Sequence, residues 1–242
     1  MPPALSIVVM VAMLVEASLG FGATVITVAL GALVLPIERL LPAVVSLNLI
    51  LSAWIAARGA GRIDWRLLGR RVLPAMALGL APGMAVARFV DGQQLRALFA
   101  VLVVLLAALE LARMVRGARA NARPLPPALS AALLFAAGVV HGIFATGGPL
   151  AVYVLGREAA DKGSFRATLA VLWLILNAAL VGAWLAAGRY DGAALRLAAS
   201  LVPALVIGIF AGNRLHGRLP EGAFRLAVYA VLLGCGVVLL RS

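Results

Sequence analysis

The sequence predicts an all-α integral membrane protein built from two homologous halves. Hydrophobic residues make up 64% of the 242 positions and charged residues only 12%, whereas soluble domains carry about 25% charged residues. So few polar groups could not cover a water-facing surface, and the bilayer is therefore the expected solvent. Rare residues that recur at a spacing of 125 to 130 positions predict the two halves.

The strong positive charge does not indicate a nucleic-acid partner. The chain has 21 basic and 9 acidic residues, but its arginines stand in short clusters between apolar stretches. This distribution is typical of the loops of membrane proteins. Membrane lipid is therefore an expected partner, and a second copy of the chain, in a homodimer, is a further candidate.

Neither a metal site nor a cofactor is expected. The chain has one cysteine, Cys235, which excludes an intrachain disulfide and a zinc site of the Cys-x-x-Cys type. The N-terminus lacks the basic region of a signal peptide, and its apolar stretch continues far beyond a cleavage site.

A helix needs about 20 apolar residues to cross the hydrocarbon core. Two of the eight apolar stretches, 4–35 and 127–155, are too long for one untilted span and too short for two. The other six stretches fit single spans: 40–57, 72–89, 95–114, 167–187, 193–209 and 224–240.

Each long stretch contains a glycine-rich break, EASLGFGAT at 16–24 and HGIFATGGP at 141–149. If each stretch spans once, the basic residues divide 12 to 9 between the two sides. If each returns as a hairpin of two half-helices, they divide 15 to 6. The positive-inside rule favours the larger asymmetry, and hence a re-entrant hairpin with both termini outside the cytoplasm.

The internal repeat divides the chain at residues 1–120 and 121–242. The matched pairs are Trp54 with Trp184, Asp64 with Asp191, Pro74 with Pro203, Gly79 with Gly208, and Gly83 with Gly212. Each half would hold a broken first helix and three spanning helices. With hairpins, the second half is inverted relative to the first, as in many secondary transporters.

The breaks predict an anion site. A broken helix frees backbone N–H groups that must be satisfied inside a membrane, and the N-termini of new helices after Gly22 and Gly148 would attract an anion. Glycines allow close approach of a ligand, and Pro149 suits a first helical position. The predicted residues are Gly20, Phe21, Gly22, Thr24, Thr146, Gly147, Gly148 and Pro149. Alternatively, the glycines only permit close helix packing.

Polar residues within the apolar stretches complete the prediction. Glu16 and His141 occupy matching positions at the breaks and are candidates for proton coupling, because buried groups of these types titrate near neutral pH. Asn48 and Asn177 would bond either substrate oxygens or neighbouring helices. Arg166 would offer a planar fork to a sulfonate or carboxylate.

On these residues the chain resembles the TauE/SafE sulfite exporter family, also called the four-toluene sulfonate uptake permease family. The motifs are EASLGFGATVITVALGALVLP, HGIFATGGPLAVYVLG and KGSFRATLAVLWLILN. Ala23 departs from the more glycine-rich form of the first motif. The resemblance implies a multi-pass protein of the bacterial inner membrane that exports sulfite, sulfoacetate or related organosulfonates.

The expected function is therefore that of a secondary exporter rather than an enzyme. A passive anion channel and an exporter of non-sulfur organic anions are the alternatives. An ATP-driven pump would need a Gly-Lys-Ser/Thr motif, which the chain lacks. An intramembrane hydrolase would have to use Ser18 with His141, but no nucleophile motif surrounds Ser18.

Overall fold

The computed structural model describes residues 3–115, 125–158, 161–216 and, within the last apolar stretch, residues 226, 229–230, 232–234, 236–238 and 240. The predicted span 224–240 lies mostly outside the described residues, as does Cys235. Throughout the described part of the chain, every regular element is a helix.

The first half contains α1 (Pro3–Leu19), α2 (Ala23–Gly31), α3 (Ile37–Arg58), a short α4 (Trp65–Leu67), α5 (Leu73–Val86) and α6 (Gly92–Val115). A 3-10 turn (Ala60–Arg62) precedes α4, and a π turn (Leu68–Val72) leads into α5. The second half contains α7 (Pro127–Phe144), α8 (Gly148–Leu155), α9 (Lys162–Ala186) and α10 (Gly192–Leu215). Among the described residues, five helices are long and apolar enough to cross a membrane: α3, α6, α7, α9 and α10.

Both long apolar stretches are broken at their glycines, as predicted. Gly20 and Gly22 have φ values of +89° and +113°, which glycine adopts without steric cost. In the second break, Ala145 has a φ of +53°, a conformation that costs an L-residue about 1–2 kcal/mol. One detail of the prediction was wrong: α8 begins at Gly148, so Pro149 is its second residue. Proline fits there too, because that N–H also lacks an intrahelical partner.

Helices α5 and α7 pack through paired glycines. A Cβ on Gly79 would collide with the backbone of residues 135–139, and one on Gly83 with the backbone of residues 139–142. Residues with higher numbers in α5 contact residues with higher numbers in α7. The two helices therefore run parallel. The glycines here permit close helix approach, as small residues do in membrane proteins.

Helices α10 and α1 form the corresponding pair. Here the glycines belong to a helix of the second half, and the residues they contact belong to a helix of the first half. Gly208 lies against residues 10–14, and Gly212 lies against Leu14 and Ala17. These two helices also run parallel. The glycines that the repeat predicted to match therefore make equivalent contacts in the two halves.

The equivalent helices α3 and α9 pack against each other and run antiparallel. Asn48 bonds Asn177, while Gly59, at the end of α3, lies against Ala167 near the start of α9. The inverted relation of the two halves remains a prediction, as does the division at residue 120.

Matching aspartates start helices in both halves. The Asp64 side chain accepts a 2.8 Å hydrogen bond from Leu67 N–H, and that of Asp191 accepts a 2.7 Å bond from Ala194 N–H. Both are N-caps, which explains why an aspartate recurs at this matched position. Asp161 caps α9 in the same way, and the Ser164 and Gly163 N–H groups lower the pKa of its carboxyl.

Large apolar side chains cover much of the outer surface. Leu78, Phe89 and Phe210 are 70%, 87% and 58% exposed. The buried interior, in contrast, holds Glu16, Asn48, His141 and Asn177. A protein with apolar groups outside and polar groups inside is organised for lipid rather than for water.

Candidate functional site

A polar cavity lies between the two helix breaks. It has a volume of about 250 Å³, including the part that opens outward. The volume open to a water-sized group is only about 20 Å³, so in this conformation the cavity admits an ion or a molecule of a few atoms rather than a drug-sized ligand. The lining residues are Glu16, Phe21, Gly22, Thr24, Asn48, His141, Thr146, Gly147, Gly148, Trp173 and Asn177.

The cavity brings together ten of the thirteen residues that the sequence predicted for the site. Gly20, Pro149 and Arg166 do not line it. The Gly20 carbonyl oxygen bonds Trp173. Pro149 lines a neighbouring apolar cavity of about 330 Å³. Phe21 and Gly22 line both cavities and lie between them. Both terminal nitrogens of Arg166 face Asn213 Oδ1 at 3.5 Å.

The Glu16 side chain lies at the N-terminus of α2. Its Oε2 accepts a 2.8 Å hydrogen bond from Ala23 N–H, and its Oε1 accepts a 2.8 Å bond from the Asn48 amide. The residue is only 3% exposed. One of the free N–H groups of the new helix is therefore already satisfied by an acidic side chain of the protein itself.

His141 occupies the equivalent place in the second half. Its Nδ1 accepts a 3.3 Å hydrogen bond from Gly147 N–H, which assigns the proton of the neutral ring to Nε2. Nε2 lies beside the Asn177 side chain without meeting full hydrogen-bond geometry, and the His141 side chain is 1% exposed. A buried N–H donor of the second break therefore borders the cavity next to an amide.

An amide pair joins the two halves at the cavity. Asn177 Nδ2 donates a 2.9 Å hydrogen bond to Asn48 Oδ1, which also accepts a 3.1 Å bond from the Ser52 hydroxyl. These two donors orient the Asn48 amide so that its Nδ2 faces Glu16. Asn177 also lies beside the His141 side chain, so the amide pair connects the two break residues Glu16 and His141 through the cavity wall.

Trp173 is the cavity residue that the sequence analysis did not assign to the site. Its Nε1 donates a 3.0 Å hydrogen bond to the Gly20 carbonyl oxygen. Its ring stacks on His141 at a centroid distance of 5.5 Å. It therefore contacts both breaks. Its position four residues before Asn177, on the same face of a helix, was the available signal.

Free backbone donors also surround the cavity. Thr24 in the first turn of α2 and Gly148 at the start of α8 line the cavity, and their N–H groups have no backbone hydrogen-bond acceptor among the described residues. Such groups give a helix N-terminus its affinity for anions.

Ser18 takes no part in the cavity. Its hydroxyl donates to the carbonyl oxygens of Leu14 and Gly212. The nucleophile and base that a hydrolase would need are therefore not assembled at this site.

Comparison with known proteins identifies the family. The chain is 27% identical over 179 residues to a protein of Comamonas testosteroni named "Probable inner membrane transporter protein TsaS"; the match covers 74% of this chain and 73% of that protein. No solved structure matches significantly. The family described as "Sulfite exporter TauE/SafE" matches residues 5–239. The chain therefore belongs to the TauE/SafE sulfite exporter family, and it is a multi-pass membrane transporter rather than an enzyme.

Proposed function

We propose that this protein is a secondary transporter that exports small sulfur-containing anions, such as sulfite, sulfoacetate or related organosulfonates, across a bacterial inner membrane. The anion would bind in the polar cavity between the helix breaks. The observation that carries the proposal is that equivalent residues of the two halves converge on one buried cavity with unpaired hydrogen-bond donors.

The depth of the cavity supports this function. Asn48 lies 11 residues after the start of α3 and 10 before its end; Asn177 lies 15 after the start of α9 and 9 before its end. At about 1.5 Å per residue, both amides are roughly 13–23 Å from the helix ends. They would lie near the middle of a hydrocarbon core about 30 Å thick, where secondary transporters bind their substrates.

Helix directions support the re-entrant topology. Only residues 187–191 join α9 to α10, so these spans run in opposite directions. Because α10 is parallel to α1 and α9 is antiparallel to α3, α1 and α3 run in the same direction. The chain must then return through α2.

The second half follows the same logic. A short connection joins α3 to α5, α5 is parallel to α7, and α3 is antiparallel to α9. Helices α7 and α9 therefore share one direction, and the chain returns through α8. In this topology the halves are inverted, and alternating access would rock one half against the other.

Glu16 and His141 are the proposed proton-coupling residues. Ionisable groups inside a membrane are costly and usually functional, and both line the cavity. Asn48 and Asn177 would assist binding. The position of Arg166 gives it no direct contact with an anion in this cavity, so we do not include it among the binding residues.

Efflux from proteoliposomes tests the proposal. Vesicles loaded with sulfite or methanesulfonate should release the anion faster when their interior is more acidic than the medium, and Glu16→Gln should abolish that acceleration. A passive channel would instead keep the same anion conductance in Glu16→Gln. Failure of the wild-type protein to move any sulfur anion would refute the proposed cargo.

A further inference from the structure

The two halves differ in charge at one equivalent position of the cavity. Glu16 meets the N-terminus of α2 through Ala23 N–H, whereas His141 meets the N-terminal turn of α8 through Gly147 N–H. An acid therefore occupies one half-site and an imidazole the other. Their hydrogen-bonding roles at the breaks are otherwise alike, because each side chain accepts a backbone N–H.

We infer that Glu16 is a built-in anion that competes with the cargo for the half-site at α2, so that binding of one cargo anion takes up one proton on Glu16. This inference rests on the proposed function. It specifies which residue takes the proton and why the anion requires it.

The competition follows from the donors that Glu16 uses. Ala23 N–H and the Asn48 amide both donate to its carboxylate at 2.8 Å. These are the donors that a cargo oxyanion at the α2 break would need. While Glu16 is ionised, they are occupied, and a second negative charge beside it would be repelled strongly because the surroundings are poor in water.

The half-site at α8 carries no such competitor. Its Gly148 lines the cavity with an N–H group that has no backbone acceptor among the described residues, and His141 Nε2–H lies beside the neutral Asn177 side chain. The cargo would bind these donors first. It could engage the α2 half-site only when Glu16 is neutral.

Protonation of Glu16 balances the charge. One proton leaves the solution and binds a carboxylate oxygen of Glu16 while one monovalent anion enters, so the cavity gains no net charge. No bond of the cargo is formed or broken. The carboxyl O–H then becomes a donor to the anion in place of the former acceptor.

His141 is the other titratable group that lines the cavity. On α3, the neutral Asn48 bonds Glu16 and is itself bonded by the neutral Ser52, and on α2 the neutral Thr24 lines the same space. His216, at the C-terminal end of α10, bonds the Ser18 carbonyl oxygen. Arg166 of α9 faces Asn213 instead. Among the described residues, Glu16 and His141 are thus the candidates for proton uptake.

Calorimetry with methanesulfonate tests the inference on the purified full-length protein, because this anion keeps its charge across roughly pH 5.5–8.5, the range in which buried acids and histidines titrate. Titrations in buffers of different ionisation enthalpy give the protons taken up per anion bound. Wild type should take up close to one proton where Glu16 is ionised, and its affinity should fall about tenfold per pH unit there. Glu16→Gln should take up none, and its affinity should not vary with pH.

His141→Gln is the matched variant at the equivalent position; it should weaken anion binding, because His141 offers a donor to the cargo, but each anion that binds should still take up close to one proton. Uptake that persists in Glu16→Gln but disappears in His141→Gln would assign the proton to His141 and overturn the inference. Wild-type binding without proton uptake would also overturn it, whether or not either variant folds, while leaving the proposed function intact. Absence of methanesulfonate and sulfite binding at every pH would instead refute the proposed function itself.

Discussion

Asn177 donates a 2.9 Å hydrogen bond to Asn48 across the antiparallel contact between α3 and α9. The two residues are equivalent members of the two halves, so the bond lies where the halves meet. Asn48 carries more of the network, because it also donates to Glu16 and accepts from Ser52. The two asparagines should therefore differ in their importance for stability.

We expect Asn48→Ala to lower the free energy of unfolding by about 1–3 kcal/mol, since it leaves buried partners unpaired. Asn177→Ala should cost less, about 0.5–1.5 kcal/mol, because Asn48 Oδ1 keeps its bond to Ser52. Unfolding of detergent-solubilised protein measures both. The double variant should cost less than the sum of the single variants, because the residues share a bond. Equal effects that add fully would contradict this network.

Trp173→Phe should lower the thermal unfolding midpoint. The change removes the Nε1 hydrogen bond to the Gly20 carbonyl oxygen, which is worth about 0.5–1.5 kcal/mol, and retains an aromatic ring next to His141. Trp65→Phe is the control, since Trp65 is 62% exposed. Only Trp173→Phe should have a lower unfolding midpoint than the wild-type protein. If the midpoints of Trp173→Phe and Trp65→Phe were equal, Trp173 would not stabilise the first helix break.

Gly138→Ala should prevent correct packing of α7 on α5. A Cβ at Gly138 would collide with the backbone of Met76, and overpacking costs at least about 1–3 kcal/mol. Gly182→Ala on α9 is the matched control, because nothing lies within 4 Å of its added Cβ. Size-exclusion chromatography should give a monodisperse peak for the control and aggregated or reduced protein for Gly138→Ala. A well-folded Gly138→Ala would contradict the close contact.

The helix breaks, and the matched positions of Gly79 and Gly208, could be predicted from the sequence because they depend on glycine; the close helix contacts at those two glycines were not predicted. Gly20 and Gly22 supply the positive φ values of the first break, and Gly79 and Gly208 make equivalent contacts. Glu16, His141 and the two asparagines were identified by their polarity within apolar stretches. The conformational freedom of glycine and the polarity of a side chain are properties of the residue itself, so they can be read without knowing how the helices pack.

What the sequence could not give was the depth of α9 relative to the breaks. Arg166 and Asn177 lie on nearly the same face of that helix, but 11 residues separate them by roughly 16 Å along its axis. Trp173, only four residues from Asn177, reaches the cavity instead. This register depends on the packing of α9 on α3, which no local pattern encodes.

Cysteine labelling should test the inverted, re-entrant topology. In a Cys235→Ser background, Gly61→Cys lies on the side with 15 basic residues and Gln93→Cys on the side with 6; both positions are exposed. Because the more basic side faces the cytoplasm, a membrane-impermeant maleimide should label Gln93→Cys in intact cells and Gly61→Cys only after permeabilisation. The opposite pattern would contradict the proposed orientation.

Ligand-induced thermal stabilisation tests the central claim most directly, namely that the cavity between the breaks binds a small sulfur anion. A ligand that binds only the folded state raises the unfolding temperature, so sulfite or methanesulfonate should stabilise the wild-type protein. Gly148→Leu would fill the cavity beside Phe21 and should abolish the shift, while Gly182→Leu, outside the cavity, should retain it. Stabilisation that survives in Gly148→Leu, or that no sulfur anion produces in the wild-type protein, would contradict the account.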